Sequence, residues 1–79
     1  MTEQEITEAI QEEIRRADAF TNAATRLIDD EQAHPEIDER YPGFWLAIMG
    51  YVIPVLEAEA RKGSEEVERL HQQRRQLRT

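Results

Sequence analysis

Apolar residues recur every three or four positions along two stretches of this chain, which is the spacing of an amphipathic helix. The first stretch covers residues 3–33. Thr2 stands before it as an N-cap, and Glu5 follows three residues later to form a capping box. The pattern fades near Ala33, because Pro35 disfavours helical backbone at the residue before it. We therefore predict a first helix at about 3–33, whose buried stripe consists of Ile6, Ile10, Ile14, Ala17, Phe20, Ala24, Leu27 and Ile28.

The second stretch, residues 44–78, alternates between spacings of three and four, which is the heptad pattern of helices that pack along one seam. Pro54 lacks a backbone donor and predicts a kink, with Gly50 at the crowded position four residues earlier. Gly63 followed by Ser64 fits a helix stop and a new N-cap, so three helices with a break at Gly63 are the alternative. We favour one long helix, whose seam positions are Leu46, Met49, Ile53, Leu56, Ala60, Gly63, Val67, Leu70, Arg74 and Leu77.

Residues 34–43, with the sequence HPEIDERYPG, separate the two helices. They contain two prolines and a glycine, a composition typical of a connection rather than of the interior of a helix. The two helices are similar in length, as the arms of a hairpin are. We predict a single all-α domain over residues 1–79, built as a long antiparallel helical hairpin with its turn at 34–43.

The distribution of charge supports the antiparallel arrangement. The chain has a net charge of −7, but residues 1–39 hold twelve acidic and three basic residues, whereas residues 40–79 hold seven basic and five acidic residues. A hairpin brings the acidic start of the chain beside its arginine-rich end. Exposed ion pairs contribute at most about 1 kcal/mol each, so they select the topology more than they stabilise it. The acidic balance also argues against direct binding of nucleic acid or of an anionic membrane.

A chain of 79 residues has too little interior to be more than marginally stable alone, and with no cysteine it gains nothing from disulfides. The segment from Phe44 to Leu56 is almost entirely apolar, and one neighbouring helix covers only one stripe of it. We predict a homodimer of two hairpins that forms a four-helix bundle. A different protein partner satisfies the same physics, and a three-helix monomer that covers the segment itself is the alternative. The predicted interface residues are Phe44, Trp45, Ile48, Met49, Val52, Val55 and Leu56.

The sequence offers little for catalysis, and we expect neither an enzyme nor a cofactor. Its one serine, Ser64, lies seven residues before His71, which is too far along a helix for the hydrogen bond that activates a nucleophile. The spacing Glu-x-x-His of ferritin-like dimetal bundles occurs at Glu31 and His34 and again at Glu68 and His71. In one hairpin these pairs lie at opposite ends, so they meet only across an antiparallel dimer. A dimetal site is therefore a minor alternative, and surface positions are the simpler interpretation of both pairs.

A second alternative is an acidic inhibitor that imitates nucleic acid, with Glu5, Glu8 and Glu12 as the face presented to a basic partner. Arginines interrupt this acidic surface, so it is no continuous track of phosphate-like charges. The leading hypothesis is a non-catalytic interaction or regulatory protein that binds itself and another protein. The longest uncharged run, residues 41–56, is too short to span a bilayer, and we expect the chain to stay in the cytoplasm.

Overall fold

The computed structural model describes residues 1–78, which form two long helical arms joined by a short connection. Helix α1 is Glu3–Ala33, α2 is Ile37–Arg40 and α3 is Phe44–Ala47; a π-helical turn at Ile48–Val52 leads into α4, which is Ile53–Arg78. The α3 helix, the π turn and α4 continue directly into one another as a second arm over residues 44–78. The two arms pack antiparallel in a body of 60 × 17 × 14 Å. The predicted all-α hairpin is confirmed.

Local interactions define both ends of α1. The Glu5 N–H donates to Thr2 Oγ1 and the Thr2 N–H donates to Glu5 Oε1, both at 3.2 Å, which is the predicted capping box. Hydrogen bonding of the Glu5 carboxylate to the Thr2 backbone N–H, and secondly to the Thr2 side chain, favours its ionised form and holds the pKa of Glu5 below its ordinary value. At the other end the His34 N–H donates to the Asp30 carbonyl oxygen at 2.8 Å, immediately before Pro35. The helix bounds therefore follow from short-range signals.

Ion pairs and hydrogen bonds join the arms along their length. Arg78 Nε donates to Glu3 Oε1 at 2.6 Å, so the acidic start of the chain does lie beside its basic end. Further in, an Arg74 guanidinium N–H donates to Thr7 Oγ1 at 3.4 Å. Near the middle, Arg16 pairs with Glu59 at 3.3 Å. These contacts fix the antiparallel register of α1 and α4.

The apolar core between the arms is thin. Within residues 1–78 the cluster of buried side chains consists of Ile6, Ile10 and Leu70, and the half-buried Ala9 and Val67 pack against it. Ile14, predicted in the buried stripe, is exposed because it lies at the margin of the α1 face that α4 covers. A core of this size leaves the hairpin dependent on further burial elsewhere.

Gly63 lies inside the unbroken α4 helix, so the alternative break at this position does not occur. Gly63 is itself buried against α1. A Cβ atom built on it would lie 3.0 Å from Ala17 Cβ, which is tighter than an ordinary van der Waals contact. The residue is therefore glycine because of the close approach of the two arms.

The second arm widens into a π turn directly before Pro54, where the sequence predicts a kink. The Ile53 N–H donates to the Ile48 carbonyl oxygen, five residues back, instead of to the fourth residue back. Proline has no N–H, and in a regular α-helix its ring clashes with the carbonyl four residues earlier, here that of Gly50. Insertion of one residue into the preceding turn is a known way for a helix to accommodate such a conflict.

The π turn shifts the packing register of everything that precedes it by one residue. Continued backward from Ile53, the heptad pattern predicts Met49 and Leu46 at the seam. With the extra residue the inward positions become Ile48 and Trp45, and Trp45 is only 8% exposed. Leu46 is 77% exposed and Met49 is 39% exposed, so their predicted seam positions are wrong.

Candidate interaction surface

Trp45 fastens the turn end of the hairpin. Its indole N–H donates to the His34 carbonyl oxygen at 3.0 Å, which ties the start of the second arm to the end of α1. Its backbone N–H donates to Asp38 Oδ1 at 3.2 Å. Asp38 supplies this acceptor because the N-cap of α3 is Gly43, which has φ +85° and no side chain to cap with. The Phe44 ring packs edge-on against Trp45, with 4.9 Å between ring centroids.

This arrangement corrects the predicted interface in one important respect. The sequence pattern places Trp45 on an exposed face, but the structure buries it and bonds both of its N–H groups within the hairpin. Ile48 and Leu56, also predicted at the interface, are half-buried. The remaining predicted interface residues are exposed to solvent, namely Phe44, Met49, Val52 and Val55.

Two exposed residues were missing from the predicted set. Leu46 and Tyr51 are each 77% exposed, more than any predicted interface residue. Leu46 points outward because the π turn brings its neighbour Trp45 inward. The signal that finds it is Pro54, since a proline inside a helical pattern warns that the register changes in the preceding turn.

Exposed apolar side chains are thus concentrated at residues 44–55 of the second arm, next to the turn. We call this stretch the apolar segment; its exposed members are Phe44, Leu46, Met49, Tyr51, Val52 and Val55. Isolated exposed apolar residues are ordinary, but six within one short stretch of a small protein are typical of an interface.

The solvent-accessible surface area of the hairpin also indicates an interface. A compact protein of 9.3 kDa exposes about 5,000 Å², whereas this chain exposes 6032 Å². Its radius of gyration is 17.6 Å, against about 12 Å for a compact chain of this length. One hairpin therefore leaves roughly 1,000 Å² more surface in water than a compact monomer does.

The predicted acidic face is exposed, but local contacts engage each of its members. Glu5 belongs to the capping box, and Glu8 accepts a hydrogen bond from the Gln4 amide at 3.5 Å. Glu12 pairs with Arg15 at 3.0 Å. The arginine partly neutralises the face within α1 itself, so a basic partner meets less negative charge there than the glutamates alone suggest.

The candidate metal ligands do not come together within one hairpin. Glu31 and His34 lie at the turn end, whereas Glu68 and His71 lie toward the open end. His34 Nδ1 is 3.1 Å from Glu36 Oε1, and His71 Nδ1 accepts from Arg74 at 3.1 Å. Within residues 1–78 no group of three histidine or carboxylate side chains is arranged to hold a metal ion.

Two of the local pairs shift the pKa of a carboxylate. The backbone N–H of Glu36 and the imidazole of His34 lower the pKa of the Glu36 carboxyl. The Arg69 guanidinium, hydrogen-bonded to Glu66, lowers the pKa of that carboxyl and has its own pKa raised in return. His34, Glu36 and Arg69 are exposed and Glu66 is half-buried. The Glu66–Arg69 pair is an ordinary helix-surface pair at a spacing of three residues, whereas the His34–Glu36 pair lies in the connection between the arms.

Comparison with protein-family models, with curated proteins and with solved structures finds no match to this chain. Among the described helices, none combines the length and the apolar character that crossing a bilayer requires. A functional interpretation therefore depends on the geometry of the hairpin itself.

Proposed function

We propose that this protein is a non-catalytic interaction module that works as a homodimer of two hairpins, joined through the apolar segment at 44–55. The observation that carries the proposal is the exposure of Leu46, Tyr51 and Val55, each at least 60%, beside a turn that Trp45 holds closed. Side chains of this kind gain free energy when a second protein surface removes them from water.

A second copy of the hairpin fits the available area. A stable interface of standard size buries about 800 Å² on each partner, close to the excess of roughly 1,000 Å² that this hairpin exposes. A two-fold dimer uses the same surface on both partners, so the apolar segment of one copy is covered by that of the other. Association also stabilises a fold whose own core is thin, because a partner that binds only the folded state shifts the folding equilibrium.

The non-catalytic part of the proposal is based on the local contacts of Ser64 and His71, the residues considered for nucleophilic catalysis. The Ser64 hydroxyl donates to the Ala60 carbonyl oxygen at 3.3 Å within its own helix, and His71 is engaged by Arg74. This geometry favours structural roles for both. The outer faces of the arms, rich in exposed glutamate and arginine, are left available to another macromolecule, as in an adaptor or regulatory protein.

The test is the solution mass of the wild-type chain and of a Leu46→Lys, Val55→Lys double variant, measured by light scattering over a range of concentrations. We expect a dimer for the wild type and a monomer for the variant, because each lysine places a charge inside the proposed contact. Circular dichroism of the variant establishes that it remains helical. Trp45 is unsuitable as a target, since its substitution would open the turn itself.

The matched control is Gln72→Lys, which adds a positive charge at an exposed position of α4 outside the apolar segment. This variant should keep the dimeric mass. A wild-type monomer at all concentrations would rule out the homodimer. A dimeric Leu46→Lys, Val55→Lys variant would instead show that the subunits meet elsewhere.

A further inference from the structure

We infer that the two hairpins pair antiparallel and overlap only at their turn ends, with the two-fold axis near Gly50. This inference rests on the proposed homodimer and specifies its geometry. Two requirements select it: the apolar segment must face an apolar surface, and the acidic turn must not face its own copy.

The first requirement concerns what lies opposite the apolar segment. In an antiparallel pair, residues equally distant from the axis in opposite directions face each other. With the axis at Gly50, Phe44 lies opposite Leu56 and Leu46 opposite Pro54, so each segment covers the other. An antiparallel pair that overlaps along the whole hairpin has its axis near residue 61 and places residues 44–55 against residues 67–78. That stretch contains four arginines and three glutamines, which leave the apolar segment poorly covered.

The second requirement concerns charge at the turn. Residues 29–40 hold six acidic residues and one arginine, a net charge of −5. A parallel dimer also places apolar segment on apolar segment, but it brings the two turns side by side. Two such charges at close range repel and are screened only partly at physiological salt. The parallel pair is therefore disfavoured, although its apolar match is good.

The antiparallel pair about Gly50 sets the acidic turn beside the middle of the other hairpin. Residues 38–40 then lie level with residues 60–62 of the second copy. Arg61 is exposed and makes no ion pair within residues 1–78, and Lys62 pairs only with Glu59 on its own helix. The surrounding section, residues 16–23 and 57–64, has three basic and three acidic residues and is neutral. This arrangement avoids the repulsion between the two acidic turns, and Arg61 of one copy lies near a carboxylate of the other, such as Glu39.

The three arrangements differ in length. One hairpin is 60 Å long, and a parallel or fully overlapped pair keeps about that length. Gly50 is about nine residues from the turn, so the overlap about Gly50 spans roughly 30 Å at 1.5 Å per residue. The staggered dimer is therefore about 90 Å long, which small-angle X-ray scattering measures directly.

The deciding experiment places one spin label on each subunit. The chain has no cysteine, so Gln72→Cys provides a unique labelling site on the exposed surface of α4. For the staggered dimer we expect a distance of about 65 Å between the two labels, because residue 72 lies 22 residues from the axis. The fully overlapped antiparallel dimer gives about 35 Å, and the parallel dimer gives less than about 25 Å.

The outcomes separate this inference from the proposed function. A dimeric mass with a short Gln72→Cys distance, or with a maximum dimension near 60 Å, overturns the staggered geometry and leaves the homodimer intact. A monomeric mass at every concentration overturns both. As a second measurement, Arg61→Glu should raise the dimer Kd several-fold, and adding Glu39→Arg should restore it. If the double variant Arg61→Glu, Glu39→Arg keeps the raised Kd, the proposed contact between the turn of one copy and the middle of α4 in the other is wrong.

Discussion

A Cβ atom on Gly63 would lie 3.0 Å from Ala17 Cβ and 3.6 Å from the Glu13 carbonyl oxygen. Gly63 is glycine because a larger residue would not fit there. Its backbone conformation does not require glycine, since within the described chain only Gly43 has a positive φ. Glycine inside a helix costs about 1 kcal/mol relative to alanine. The close packing of α1 on α4 must offset that cost at Gly63.

Substitutions at Gly63 should therefore destabilise the hairpin in proportion to their size. We expect Gly63→Leu to lower the free energy of unfolding by about 1–3 kcal/mol, because the added side chain forces the arms apart. Gly63→Ala should gain less stability than its helix propensity alone predicts. Urea denaturation followed by circular dichroism measures both effects.

Gly50 is the matched control in the monomeric Leu46→Lys, Val55→Lys background, because within one hairpin a Cβ atom built on it meets nothing within 4 Å. Gly50→Ala should raise the free energy of unfolding by about 0.4–1 kcal/mol through the lower entropy of the unfolded chain. Equal effects of alanine at Gly50 and Gly63 would contradict the close-approach explanation.

Asp38 should stabilise the turn through the hydrogen bond that it accepts from the Trp45 backbone. Asp38→Ala removes the acceptor, and we expect a loss of about 1 kcal/mol, similar to the loss of a helix N-cap. Asp38→Asn keeps an oxygen at the same place and should recover most of this loss. Glu39→Ala, at the neighbouring acidic residue, is the control when both substitutions are made in the monomeric Leu46→Lys, Val55→Lys background, and there it should change stability by less than about 0.5 kcal/mol. A similar loss in Asp38→Asn and Asp38→Ala would show that the hydrogen bond is unimportant.

The capping box should make part of the stability depend on pH. Because its bonds with Thr2 lower the pKa of Glu5 in the folded state, Glu5 contributes stability that is fully present above its ordinary, unfolded pKa and is lost as the pH falls through the lower folded pKa. Glu5→Gln does not titrate and still fits a capping box. We expect its melting temperature to fall less than that of the wild type between pH 7 and pH 3.

The same comparison in a Thr2→Ala background is the control for this prediction. Without the threonine hydroxyl, the difference in acid sensitivity between Glu5 and Gln should shrink. Identical acid sensitivity of the wild type and Glu5→Gln would contradict a role for Glu5 in the pH dependence.

The π turn should tolerate the loss of one residue. Deleting Gly50 together with Pro54→Ala gives a regular α-helix in which Trp45, Ile48 and Ile53 still face α1, now at spacings of three and four. We expect this variant to unfold cooperatively, with a melting temperature within several degrees of the wild type.

Deletion of Ala58 is the contrasting variant, because it removes a residue from regular helix. A one-residue deletion there rotates the remainder of α4 by about 100° relative to α1. Gly63 and Leu70 would no longer face α1, so the cooperative unfolding transition should be lost. If both deletions are equally damaging, the extra residue of the π turn is not what sets the register.

The bounds of the long helices could be predicted because their signals are local. Thr2 and Glu5 mark the start of α1, and Pro35 marks its end, within a few residues of each boundary. The antiparallel arrangement followed from the contrast between the acidic start and the arginine-rich end, which Arg78 and Glu3 confirm by direct contact.

The register ahead of Pro54 could not be read from spacing. A seam through Trp45 and Ile48 is as apolar as a seam through Leu46 and Met49, so the apolar pattern does not distinguish them. The π turn and the indole hydrogen bond to His34 decide between them. For the same reason the predicted interface contained Trp45 and omitted Leu46. The partner surface itself is a property of two chains, which one sequence does not specify.

Trp45 also gives the protein an intrinsic optical probe at a known place. It is the only tryptophan in the chain, and it is buried where the two arms join. Its fluorescence therefore monitors opening of the turn, whereas far-ultraviolet circular dichroism averages over both arms. Fraying that begins at the chain termini would lower the helical signal while the emission maximum stays constant. Agreement between the two signals would instead mean that the hairpin opens as one unit.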